Sequence, residues 1–126
     1  MKRLPDREED VQAAIIQRLE LEGYIVLQTS HRTKRVTCPH CLHPFRPTGG
    51  YGASFGVPDL LVTHERWRGC VWVGIEVKGI GKDGRPGALR PDQRGLLERG
   101  RIIVATSQDE ALKCVQEVGE QLWLTG

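Results

Sequence analysis

Residues 70–78 (Cys-Val-Trp-Val-Gly-Ile-Glu-Val-Lys) alternate with a period of two, so that Val71, Val73, Ile75 and Val77 fall on one face and Trp72, Gly74, Glu76 and Lys78 on the other. Four β-branched residues on one side must be buried against a second layer, which makes the run a sheet strand with a core face. The opposite face carries a carboxylate and an ammonium two residues apart. Upstream, Asp59-Leu60-Leu61-Val62-Thr63 reads as another strand, and the polar stretch through Arg68-Gly69 as the turn that joins the two. Antiparallel pairing of such a hairpin brings Asp59 beside Glu76.

The remainder of the chain supplies the second layer. Asp6 and Glu9 stand as N-cap and N3 of a D-x-x-E capping box ahead of Val11, Ile15, Ile16 and Leu19, an apolar stripe at helical spacing that Glu22-Gly23 ends. Tyr24-Ile25-Val26-Leu27 is a short β-type run. Residues 79–89 form a glycine-rich basic loop, and Pro91 opens a helix that runs to Arg99. Residues 101–106 form a β-branched strand. Ser107-x-x-Glu110 caps a last helix carrying Ala111, Leu112, Val115 and Val118, and residues 121–124 read as a terminal strand. The order αβββαβα predicts an α/β class with a central mixed sheet flanked by helices.

The chain has 126 residues, which is one domain's worth of core. Hydrophobic residues at 39% and charged residues at 27% exclude a disordered tail, a collagen-like repeat and a coiled coil. No apolar run is long enough to span a bilayer, so no membrane partner is expected. The start MKRLPDREED has no hydrophobic stretch after its basic residues. A secretory signal is therefore not expected, and the cytoplasm, of a bacterium or a phage-infected host, is the expected compartment.

Residues 30–56 show no periodicity and form a long irregular insertion rich in histidine, cysteine, proline and glycine. Its Arg32, Lys34, Arg35 and Arg46 make a basic stretch without an acid, suited to phosphates. Cys38-Pro39-His40-Cys41 is half of a tetrahedral zinc site, for which His31, His40, His43 or the same knuckle of a second copy are the available completions; cysteines held in a loop without metal are the alternative. Cys70 and Cys114, among apolar neighbours, read as small buried hydrophobes.

Two carboxylates held together repel unless a cation lies between them, and oxygen-only ligation is what magnesium prefers. Asp59 and Glu76 are thus candidate metal ligands, with Lys78 beside them to stabilise charge on a phosphate oxygen. A solvated sheet face is the plainer account of Glu76 and Lys78. The segments Gly56-Val57-Pro58-Asp59 and Gly74-Ile75-Glu76-Val77-Lys78 together resemble the PD-(D/E)xK nuclease signature, in particular its virus-type replication-repair branch, the VRR-NUC domain. That branch also has an early helical glutamate and a glutamine opening a later helix, which correspond to Glu8 and Gln93; the resemblance runs from about residue 8 to 115.

The resemblance implies a restriction-endonuclease-like core. It implies Mg²⁺ or Mn²⁺ bound by Asp59, Glu76, the carbonyl of Val77 and, directly or through water, Glu8. Lys78 would assist the attacking water, and Gln93 would orient Lys78 or a phosphate. Glu8 is preferred to Glu9 because it shares the inward stripe of Val11, Gln12, Ile15 and Leu19. A first-turn acid that complements the helix dipole is the plain reading of Glu8, and a surface residue that of Gln93.

Lys82 and Arg85, with the stretch 32–46, flank the site in sequence and are placed to grip DNA phosphates, which gives affinity without sequence readout. The expected activity is therefore cleavage of branched or flapped DNA, of the Holliday-junction type, in repair, recombination or replication. Short stand-alone members of the branch imply a homodimer and a 5′-phosphate product. The rivals are an inactive DNA-binding scaffold that keeps the fold, and a site-specific restriction enzyme.

Overall fold

The computed structural model describes residues 4–29, 36–45 and 57–122. Helix α1 (Glu8–Leu21) is followed by strands β1 (Ile25–Gln28), β2 (Val36–Thr37), β3 (Pro44–Phe45), β4 (Leu60–Thr63) and β5 (Val73–Val77). Helix α2 (Pro91–Glu98), strand β6 (Ile102–Ala105) and helix α3 (Gln108–Gly119) complete the elements of the described residues. The main sheet has the order β1-β4-β5-β6. Its first two pairings are antiparallel and β5 pairs with β6 in parallel, as a βαβ crossover through α2 requires. The molecule is thus α/β with a four-stranded mixed sheet and three helices.

The expected hairpin forms between β4 and β5, with Leu60 opposite Ile75 and Val62 opposite Val73. All five residues of β5 are buried, so this strand is covered on both faces. Ile75 and Val77 join Val11, Ile15 and Leu19 of α1 and Ala111, Leu112 and Val115 of α3 in one core, where Ile15, Leu19, Leu60, Val62, Ile75, Val77 and Val115 are fully buried. Burial of a side chain of this kind is worth about 1.5–3 kcal/mol. Helices α1 and α3 pack on each other and on the sheet, while α2 packs on β6. Glu76, of opposite parity to Ile75 and Val77, meets Gln93 of α2 instead.

Several element boundaries differ from the sequence expectation, each for a physical reason. Helix α1 starts after an N-cap at Arg7 and has no side-chain cap. The backbone of Asp6 is engaged elsewhere: its N–H donates to the Ile80 carbonyl at 2.8 Å and its carbonyl accepts from the Ile80 N–H at 2.9 Å. At the other end Gly23 takes φ +91°, and the Tyr24 N–H returns to the Leu19 carbonyl at 3.0 Å, as expected for a glycine stop. Ser107 does cap α3, accepting from the Glu110 N–H at 3.2 Å.

The insertion is not wholly irregular. Antiparallel β2 and β3 pair Val36 with Phe45 and Thr37 with Pro44, which adds a small second sheet to the expected order. Gln121 and Leu122 form a turn, with the Leu122 N–H on the Gly119 carbonyl at 2.9 Å, so they are not part of a terminal strand; residues 123–124 lie outside the described residues. Cys70 is exposed rather than a buried hydrophobe, because β5 begins only at Val73, and Cys114 is half-buried. Among the described residues no helix is long and apolar enough to cross a membrane.

Candidate functional site

The site forms at the C-terminal end of β5, where three chain segments meet. Extending the β4–β5 register by one residue sets Asp59 opposite Glu76. Asp59 is anchored twice: its Oδ2 accepts the Val77 N–H at 2.9 Å, and its own carbonyl accepts the Thr29 N–H at 2.9 Å. The Thr29 hydroxyl donates to the Pro58 carbonyl as well, so the residue after β1 fixes the peptide that carries Asp59. Thr29 gave no signal in the sequence, since its role depends on β1 pairing with β4.

Two glycines let these segments close up. A Cβ on Gly74 would lie 2.7 Å from Pro58 Cγ, so the small residue in β5 is what allows Pro58 to pack across the strand. A Cβ on Gly79 would lie 2.4 Å from the Asp6 carbonyl oxygen and 2.8 Å from the Glu8 nitrogen. Gly79 thus admits the segment before α1, and with the Asp6–Ile80 bridge it brings the first residue of the helix to the end of β5. In sequence both glycines read only as loop or strand residues.

The result is that one oxygen from each of Glu8, Asp59 and Glu76 lies within 4.8 Å of the other two. Glu9 is not in this group. The capping box expected at Glu9 does not form, whereas the inward stripe of Val11, Ile15 and Leu19 on the helix of Glu8 does. Glu76 is 3% exposed, which removes the solvated-face account of this strand. Gln93 is equally buried and is not a surface residue. Its Nε2 donates to Glu76 Oε1 at 2.7 Å and its Oε1 accepts the Arg90 N–H at 3.0 Å, so the amide is fixed in one sense and also satisfies the start of α2. Lys78 Nζ stands 3.6 Å from the same Glu76 Oε1.

Glu76 Oε2 is buried and has no hydrogen-bond partner among the described residues. Burial first, then the neighbouring Asp59 carboxylate and more weakly Glu8, push the Glu76 carboxyl up to about 7, against the pull of Lys78. Three crowded carboxyl groups, one with an orphaned buried oxygen, form an oxygen-only donor set that a hard divalent cation fits. The Val77 peptide is adjacent, since its N–H bonds Asp59. The set can hold a metal; its chemistry without one is that of acids in mutual repulsion.

Lys82 and Arg85 are exposed on a tight loop closed by the Gly81 N–H on the Arg85 carbonyl at 2.9 Å and by a bridge between Ile80 and Pro86. The same loop passes over Lys78, and a Cβ on Gly87 would lie 3.6 Å from Lys78 Cδ. Arg32, Lys34, Arg35, Arg46 and His31 lie outside the described residues. In the knuckle, the backbone N–H groups of Cys41 and His40 are directed at the Cys38 sulfur and hold its thiol below its ordinary value. Comparison with protein-family models, with curated proteins and with solved structures returned no match.

Proposed function

We propose that this chain is a divalent-metal-dependent DNA endonuclease with a PD-(D/E)xK core of the VRR-NUC type. The observation that carries the reading is the meeting of the Glu8, Asp59 and Glu76 carboxylates around an unpartnered Glu76 oxygen, with the Lys78 ammonium beside them. Asp59, Glu76, the Val77 carbonyl and Glu8 would hold Mg²⁺ or Mn²⁺, which supplies positive charge for the scissile phosphate and acidity for the attacking water.

The chain's own residues do the positioning. The Val77 N–H and the Thr29 contacts fix Asp59, and Gln93 fixes Glu76, so little reorganisation is left for the reaction. Lys78, half-covered and next to Glu76, offsets negative charge that accumulates on a phosphate oxygen as the new P–O bond forms. Exposed Lys82 and Arg85 contact backbone phosphates on the approach to the site. These contacts read shape and charge rather than sequence, which favours branched, junction or flap DNA as substrate. A homodimer acting in repair, recombination or replication would supply two cuts.

The test is incubation of purified protein with four-way junction, flap, duplex and single-stranded DNA and with Mg²⁺, Mn²⁺ or chelator. Metal-dependent cleavage of a branched substrate, abolished in Asp59→Ala, Glu76→Ala and Lys78→Ala proteins that remain folded, is the expected result. No metal-dependent product from any substrate rejects the nuclease and leaves a binding scaffold, and discrete fragments from long duplex DNA reject the structure selectivity.

A further inference from the structure

The Cys38–Cys41 knuckle plays no part in the acid site, yet its fold poses a physical problem. Strands β2 and β3 contribute two residue pairs, Val36 with Phe45 and Thr37 with Pro44. A two-stranded hairpin is at best marginal in water without further support. Thr37, Pro39, His40, Cys41, Leu42, His43 and Pro44 are all exposed, and Cys38 is half-buried, so these residues supply no apolar core. The turn is nevertheless tightly wound. The Leu42 N–H donates to the Cys38 carbonyl at 2.9 Å and the Cys38 N–H to the His43 carbonyl at 3.1 Å, with Leu42 at φ +60°. A left-handed leucine is unfavourable, and something must hold it there.

The same winding wraps the backbone around the two sulfurs. The N–H groups of His40 and Cys41 face the Cys38 sulfur, and Cys41 lies within hydrogen-bonding reach of it. Two soft ligands from one turn, neither of them in a disulfide, match zinc rather than the hard cation that suits the acid cluster. We propose that Cys38 and Cys41 are two ligands of a tetrahedral zinc ion that closes this hairpin.

Binding exchanges the two thiol protons, released to solvent, for two S–Zn bonds, whose formation supports the folded hairpin. Among the described residues no third ligand atom lies within reach of both sulfurs. The remaining positions fall to a histidine of this turn, His40 or His43, or to the knuckle of a second copy.

Metal analysis of the full chain, purified without chelator, tests the proposal together with Co²⁺ substitution. Zinc at one ion per chain indicates closure within the chain, and one ion per two chains with a zinc-dependent dimer indicates closure by a second copy; either supports the site. The Co²⁺ protein is expected to show thiolate-to-cobalt charge transfer and tetrahedral d–d bands. Both the zinc and these bands should be lost in Cys38→Ser and Cys41→Ser and kept in Asp59→Ala, which separates this site from the acid cluster. Zinc below roughly a tenth of an equivalent, zinc retained in both serine variants, or a Cys38–Cys41 disulfide in the metal-replete protein overturns the proposal.

Discussion

Replacing Glu76 by glutamine separates stability from metal binding in a way that the geometry makes quantitative. The Glu76 carboxyl is raised to about 7 by burial and by Asp59, against an ordinary value of 4.5. Between these values the folded state binds more protons than the unfolded one, so stability falls as pH rises through this window and the full penalty is present above it. The shift corresponds to about 3 kcal/mol at pH 8. Glutamine does not titrate. Because Gln93 Nε2 donates to Glu76 Oε1, the variant keeps its carbonyl there and places its NH₂ where Oε2 now lacks a partner.

In chelator at pH 8, Glu76→Gln is therefore expected to be more stable than the wild type by up to about 3 kcal/mol, or roughly 10 °C in Tm for a chain of this size. At pH 5 the gap shrinks below about 1 kcal/mol. Saturating Mg²⁺ is expected to reverse the order, stabilising the wild type at pH 8 by RT ln(1 + [Mg²⁺]/Kd) and leaving the variant nearly unchanged. Thermal and urea unfolding at both pH values, with and without Mg²⁺, reads all of this. A variant no more stable than wild type at pH 8, a gap independent of pH, or equal Mg²⁺ stabilisation of both proteins would refute the reasoning.

Other perturbations probe the supports of the site. Gly79→Ala drives a Cβ into the Asp6 carbonyl and the Glu8 nitrogen, so a loss of about 2 kcal/mol or more and displacement of Glu8 are expected, read by urea unfolding and Mg²⁺ affinity; wild-type stability would contradict the close approach. Gln93→Ala removes the donor from a buried carboxylate, for which a loss of about 1.5–3 kcal/mol at pH 8 is expected, smaller at pH 5 where Glu76 is protonated. Ile15→Ala opens a cavity in the centre of the core and should cost about 2–5 kcal/mol, with the residual metal affinity of the folded fraction unaltered. Lys78→Met, which keeps the stem and removes the charge, is expected to leave the fold intact and lower the cleavage rate at least about 100-fold with little change in DNA binding.

Much of this was legible in the chain because it rests on local periodicity. The alternation of residues 70–78 and the stripe of Val11, Ile15 and Leu19 each follow from side-chain direction along a strand or helix, and the sheet and core follow from those faces. The Ser107 cap and the Gly23 stop are equally local. Asp59, Glu76 and Lys78 stood out because charge on the face of an apolar strand is conspicuous. The sequence misled at Asp6 because Ile80, distant along the chain, engaged its backbone, and at Cys70 because β5 is shorter than the alternation suggests and leaves that residue in water.

What residue order determined by itself was the set of faces: which side chains point to the core, which two acids a hairpin sets opposite each other, and that the class is α/β. Tertiary structure alone decided that Glu76 is buried on a face that alternation marked as polar, because α2 crosses over and presents Gln93 there. It alone brought Glu8 to Asp59 and Glu76, through the close approach permitted at Gly79. The physical reason is range: periodicity fixes direction within one element, whereas proximity between elements is set by packing, which no local pattern encodes.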